Sequence, residues 1–257
     1  MTGPAADPGH RRRELPGRDE ADRLARRPPW WNEAIFWPFW AGCSAALRLW
    51  LRLRVEGAPP ARGPCVLAAN HTSFLDPIVL GACVRRRVAY LMTDVVFRQP
   101  GVRWFCEWNR AIPLSPYGGN RDALRAARSV LQQGRVVGIF PEGGLSRDGQ
   151  LMLGSPGAVS LVLAEDVPIV PVGIVGANVA LPPGRTLPRP VRVTVRFGEP
   201  IGRVELDALG ASDRRSRLVA ATRLIMDRIA ALTGQTSREA VLAAAPSRRP
   251  NPSRPTG

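Results

Sequence analysis

The chain has 257 residues, 45% of them hydrophobic, which suits one sizeable α/β domain with a real core and excludes a chain disordered as a whole. It carries 36 basic against 21 acidic residues, a formal charge of +15, and every basic residue is Arg. That balance leaves the fold open but predicts attraction to polyanions: acidic lipid surfaces, nucleic acid, phosphorylated substrates or an acidic partner.

Residues 1–28 are polar and rich in Pro and Arg, and read as a disordered basic arm. They hold no apolar run of the kind a secretory leader needs. Residues 29–54 are different. Trp30, Trp31, Phe36, Trp37, Phe39 and Trp40 cluster in a stretch uncharged from Ala34 to Leu47, and Arg48, Arg52 and Arg54 then interleave with leucines. Fourteen uncharged residues fall short of the roughly 20 that a membrane span requires. Trp beside Arg fits a helical segment lying in the headgroup layer, although a helix packed on the domain's own core has the same pattern. Pro38 predicts a kink or a break there.

From residue 55 to 234 the pattern alternates. Short apolar runs predict strands over 65–69, 88–92, 111–114, 135–140, 167–175 and 191–197. Helical signals cover 77–84, 120–133, 156–164 and 212–232. Asn120 reads as a cap and Gly134 as a stop for the second of these. Pro168 and Pro171 suggest that 167–175 is an edge strand or an apolar wall. The alternation predicts an α/β fold with a mixed sheet flanked by helices, preceded by the membrane-interface segment. Residues 235–257 read as a second disordered tail. Cys43, Cys65, Cys83 and Cys106 are too far apart in sequence to form a zinc pair and read as reduced thiols.

Two clusters carry chemistry. His71 directly follows the strand 65–69, in Asn70-His71-Thr72-Ser73-Phe74-Leu75-Asp76. Functional side chains collect at strand ends in α/β folds, and His is suited to take a proton near neutral pH. Asp76 can fold back onto one imidazole nitrogen and leave the other free as a base. Asp76 before Pro77 also reads as a helix cap, His71 as a loop histidine and Ser73 as a turn serine. The second cluster is Phe140-Pro141-Glu142-Gly143-Gly144-Leu145-Ser146-Arg147. Its glycines let backbone N–H groups approach an anion, and Ser146 and Arg147 add donors that suit a phosphate.

Together with VPIVPVGI at 167–174 and AIPLS at 111–115, these blocks resemble, in order, the motifs of the glycerolipid acyltransferase family, which includes the 1-acylglycerol-3-phosphate acyltransferases. The resemblance implies His71 as general base oriented by Asp76, and no covalent acyl-enzyme. It implies substrate binding around Glu142, Gly143 and Gly144, with Asn70, Ser73, Ser146 and Arg147 as further substrate-binding candidates. No metal or organic cofactor is implied. The implied partners are a lysophospholipid acceptor, lysophosphatidate first, and acyl-CoA or acyl-carrier protein as donor. The implied place is an anionic membrane, at its cytoplasmic face, as a peripheral or monotopic protein. Leu145, Ser115-Pro116 and Ser155-Pro156 depart from the family at positions that often hold phosphate-binding basic residues. Another lysophospholipid or glycolipid alcohol is therefore an alternative acceptor, with Arg103, Arg110 and Arg121 as candidate replacements. A non-catalytic membrane-binding protein is a further alternative. Nucleic-acid binding is not expected, because no such motif is legible and the Arg residues spread along the whole chain.

Overall fold

Among the described residues seven short strands pair into one mixed sheet in the order β1-β7-β6-β2-β5-β3-β4. They are β1 (Arg54–Glu56), β2 (Cys65–Ala69), β3 (Val88–Thr93), β4 (Ile112–Leu114), β5 (Val136–Ile139), β6 (Ile169–Val175) and β7 (Thr194–Phe197). This computed structural model describes residues 18–115, 120–146, 148–156, 159–160, 165–210 and 213–236. Every pairing is parallel except β6 with β7. The helices among these residues are α1 (Arg18–Ala25), α2 (Trp30–Trp50), α3 (Asp76–Cys83), α4 (Asp94–Phe97), α5 (Arg103–Trp108), α6 (Arg121–Gln132), α7 (Ala177–Ala180), α8 (Arg203–Asp207) and α9 (Arg214–Thr233).

The two-residue period of β2 splits the core into two layers. Val66 and Ala68 face Val130, Ile225 and Ile229 of α6 and α9, while Cys65, Leu67 and Ala69 face Val79 and Leu80 of α3. Full burial of a side chain such as Leu67 or Leu80 stabilises by about 2 kcal/mol. Gly81 of α3 lacks the Cβ that would meet the Trp40 ring at 2.7 Å, so α2 packs directly on α3. Trp40 Nε1 donates to the Gly81 carbonyl at 3.3 Å and Arg48 Nη2 to the Ala82 carbonyl at 3.1 Å.

Several sequence expectations need correction. Residues 18–25, expected inside the disordered arm, form α1, because Ala21, Leu24 and Ala25 share a buried side against the domain. Of the kink or break expected at Pro38, the break is absent: α2 runs as one helix of 21 residues with Pro38 inside it. No helix among the described residues is long and apolar enough to cross a membrane. Asn120 precedes α6 without capping it. Its side chain instead accepts from Ser115 N at 2.7 Å and donates to the Ser115 carbonyl at 2.9 Å.

The proline-bearing strand is interior rather than an edge, lying between β2 and β7. Pro171 is tolerated because the β7 side bulges there. Val172 pairs with Phe197 and Ile169 with Ile201, so three residues oppose two. The strand expected over 191–197 is shorter, Thr194–Phe197. The helix expected from 212 starts at Arg214, where Asp213 accepts from Arg215 N and Ser216 N. Gln235, placed in the tail by the sequence reading, is anchored: it accepts from Leu151 N at 2.7 Å and donates to the Gly149 carbonyl at 2.9 Å. The helix expected over 156–164 lies largely outside the described residues, as does the tail from 237.

Candidate active site

The site sits at the carboxyl ends of two adjacent parallel strands. β2 delivers Asn70 and His71, and β5 delivers Phe140 to Ser146. Asp76 opens α3 and turns its carboxylate back toward β2. One oxygen, Oδ2, lies 3.0 Å from His71 Nδ1 and also accepts from Thr72 N and Ser73 N, each at 2.7 Å. Asp76 is fully buried, and its other oxygen is buried without a partner among the described residues. The amides it takes precede it in the chain, so it does not cap α3. With Nδ1 facing the carboxylate, Nε2 is the nitrogen left to exchange a proton. The His71 side chain is 17% exposed, which leaves it within reach of a substrate.

The β5 loop grips His71 from both sides. His71 N donates to Glu142 Oε1 at 2.6 Å, and the His71 carbonyl accepts from Ser146 N at 2.8 Å. The second Glu142 oxygen accepts from Met152 N at 2.8 Å. Phe140 stacks on the imidazole with centroids 4.2 Å apart, and Tyr90 stacks behind Phe140 at 6.1 Å. Gly138 makes room for this pile, since a Cβ there would meet the Tyr90 ring at 2.5 Å. Burial pushes the Asp76 carboxyl up, and the bonds from His71, Ser73 and Thr72 pull against that rise. Burial pushes Glu142 up as well, against the Met152 and His71 amides, and the nearby Asp76 charge adds to it.

Asn70, Ser73 and Ser146 are brought to the same edge, where their side chains bind the framework. Asn70 donates to the Ile174 carbonyl at 2.9 Å and accepts from Ile174 N at 2.7 Å, locking the His71 loop to β6. Ser73 donates to the Leu181 carbonyl at 2.9 Å. Ser146 bonds Asp148 and the Gln150 carbonyl. Gly143 turns the loop with φ 69°, next to Gly144. Arg147 lies outside the described residues.

Two of the proposed replacement arginines do not serve the His71 edge. Arg103 pairs with Glu107 and Glu20. Arg110 precedes β4 and so lies at the opposite end of the sheet. Arg121 opens α6 after β4, on the same edge as His71. Sequence reasoning missed the stacking role of Phe140 and the loop clamp of Gln235. The Gly138 that admits Tyr90 was the available signal for the former.

A mostly parallel α/β domain with a His-Asp pair at its carboxyl edge, the Asp buried and the His reachable, defines the class. The model of the Acyltransferase family matches residues 52–175, which hold both clusters. Over that stretch the chain is similar to the Acyltransferase family. It is similar to the chloroplastic 1-acyl-sn-glycerol-3-phosphate acyltransferase of Brassica napus, 29% identical over 51% of this chain and 38% of that one. It is also similar to a 1-acyl-sn-glycerol-3-phosphate acyltransferase of Chlamydomonas reinhardtii, 30% identical over 54% of this chain and 43% of that one. The chain thus matches less than half the length of these two relatives. In fold it matches the crystal structure of the 1-acyl-sn-glycerophosphate acyltransferase PlsC of Thermotoga maritima. The TM-score is 0.62, at 22% identity over 85% of this chain and 83% of that one.

Proposed function

We propose that the protein transfers a fatty acyl group from a thioester donor, acyl-CoA or acyl-carrier protein, to the free hydroxyl of lysophosphatidate. The observation that carries this reading is the His71 Nδ1 to Asp76 Oδ2 contact of 3.0 Å in a chain whose named relatives are 1-acyl-sn-glycerol-3-phosphate acyltransferases. Asp76 holds the Nδ1 proton and faces the positive charge that develops on the ring. Nε2 takes the proton of the acceptor hydroxyl as its oxygen attacks the thioester carbonyl carbon. The tetrahedral intermediate collapses, the carbon–sulfur bond breaks, and the thiol leaves with the proton returned by His71. Glu142, Asn70 and Phe140 act through His71 by fixing its backbone and ring.

A place at the cytoplasmic face of the cell membrane, held peripherally, belongs to the same proposal. Trp31, Ile35 and Phe39 follow one another at four-residue spacing on α2, and all are exposed. Trp104 of α5 stands 61% exposed and stacks on Trp108, which in turn contacts Phe39. Aromatic rings so placed suit the headgroup layer, and the formal charge of +15 suits an anionic surface.

The test offers labelled acyl-CoA and acyl-carrier protein, each with lysophosphatidate, lysophosphatidylethanolamine or lysophosphatidylglycerol. Preferred transfer to lysophosphatidate supports the assignment. Preference for another acceptor keeps the chemistry and replaces the headgroup. No transfer from either donor rejects the reading.

A further inference from the structure

The sheet has a second edge with a different electrostatic character. β5, β3 and β4 are parallel neighbours, and each is preceded by an arginine: Arg135 before Val136, Arg87 before Val88, and Arg110 just before Ala111 and Ile112. The strand order therefore gathers three guanidinium groups, distant in sequence, at the amino ends of adjacent strands. This edge is opposite to His71. Arg135 and Phe140 bracket β5, so about 16 Å of extended chain separates the two edges. The exposed residues Arg23 and Arg27 approach from the end of α1. Arg23 offers its carbonyl to Arg110 Nη1 at 3.3 Å, and Arg27 Nη2 donates to the Gln133 carbonyl at 2.7 Å.

Among the described residues one carboxylate, Glu33, stands at ion-pair distance from any of the three strand-end guanidinium groups, that of Arg87, which also lies 3.7 Å from the Phe36 ring centre. Arg87 is 8% exposed and donates to the Trp108 carbonyl and Asn32 Oδ1, both at 3.0 Å. Its Nε is buried without a hydrogen bond and stands 3.5 Å from Glu33 Oε1. Arg135 donates to the Ala25 carbonyl at 2.9 Å, and its Nη2 is buried without a partner. Arg110 Nε is buried without a partner too. Among the described residues neither Arg110 nor Arg135 has a carboxylate at ion-pair distance, and Glu107 is already paired with Arg23 and Arg103. The neighbouring Arg86 shows the contrast, since it donates to three carbonyls, of Pro60, Gly63 and Gly134. Burial lowers Arg87 to about 10, and burial lowers Arg110 and Arg135 as well. Arg110 and Arg135 repel Arg87, Arg110 repels Arg135, and Glu33 opposes the fall in all three.

Buried donors and like charges that share a single nearby carboxylate are stabilised by an anion with several acceptor oxygens, and the planar forks of Arg suit a phosphate. We infer that Arg27, Arg87, Arg110 and Arg135 form a phosphate-binding site, separate from the His71 centre. The setting favours a phosphate carried on a lipid headgroup. Trp30 is 82% exposed and Trp31 is also exposed, and they stand in the same helical turn as Asn32 and Glu33, which touch Arg87.

The test uses the full chain and Arg110→Gln/Arg135→Gln. Melting is followed in inorganic phosphate and in chloride of equal ionic strength, and binding is followed to phosphatidate and to phosphatidylcholine vesicles. Wild type melts higher in phosphate than in chloride. The double variant loses that increment and melts no lower than wild type in chloride, because it has shed unbalanced charge. Loss of phosphatidate vesicle binding alongside the increment assigns the site to a headgroup. Loss of the increment with vesicle binding unchanged assigns it to free phosphate. An equal increment in both proteins overturns the site. Should the Gln pair fail to fold, Arg110→Lys/Arg135→Lys keeps the charge and removes the forks. The site then predicts a roughly tenfold weaker phosphate response, and an unchanged response overturns it.

Discussion

The two edges of one sheet hold buried charge differently, although each also keeps a buried polar atom without a partner among the described residues. At the carboxyl edge the Asp76 oxygen that faces His71 receives three donors and both Glu142 oxygens receive backbone amides. At the amino edge Arg87, Arg110 and Arg135 each keep a buried nitrogen without a hydrogen bond among the described residues. The first arrangement fixes the His71 side chain in place, as the proposed reaction requires. The second leaves donors open for something the chain does not itself supply. Preorganisation and ligand capture thus look different in the same currency, the partners of buried polar atoms.

The comparison sharpens most at Asp76. Asp76→Asn keeps the shape but loses the charge that supports a protonated ring, and a fall in kcat of about 10²- to 10⁴-fold is expected with KM little changed. A fall of less than about fivefold would mean that the carboxylate only shapes the loop. Glu142→Gln comes next. An amide cannot accept from both His71 N and Met152 N without turning its own N–H toward one of them, so kcat falls about tenfold or more. Unfolding free energy drops by about 1–3 kcal/mol. A KM increase at unchanged kcat would instead mark Glu142 as an acceptor contact.

Glu142 also carries a pH signature. Its carboxyl, raised by burial, binds its proton more tightly in the fold than in the unfolded chain. Its contribution is therefore fully present below the ordinary Glu range and diminishes as pH rises through the raised value. In urea unfolding followed from about pH 4 upward, wild type should lose stability relative to Glu142→Gln as pH rises. Parallel profiles would contradict the shift. Phe140→Leu removes the stack on His71 and should lower kcat by about fivefold, checked in the same assay. The smallest effect expected on catalysis is that of Trp30→Ser/Trp31→Ser. Turnover of a detergent-dispersed acceptor should stay within about twofold, while binding to anionic vesicles weakens.

The carboxyl edge was largely legible in the sequence because its parts are local. His71 follows its strand directly, Asp76 lies five residues on, and the β5 loop is one glycine-rich run. The strands showed as apolar runs, since β2 and β5 are buried throughout. What escaped depends on contacts between distant segments. α1 has only three buried residues among charged neighbours, too few for a periodic signal. Gln235 clamps a loop more than eighty residues away through two hydrogen bonds. The interior place of β6 rests on a bulge in the opposing chain that no pattern within 167–175 reveals. The arginine edge requires the strand order itself, because Arg87, Arg110 and Arg135 are neighbours only once β5, β3 and β4 are side by side.

The most direct test of the catalytic account compares wild type with His71→Ala, both shown to be folded, in acyl transfer from a labelled long-chain thioester to lysophosphatidate. The account predicts transfer by wild type and a loss of kcat/KM of about 10³-fold or more in the variant. Transfer by His71→Ala within about tenfold of wild type would contradict it and move the chemistry away from the His71–Asp76 pair.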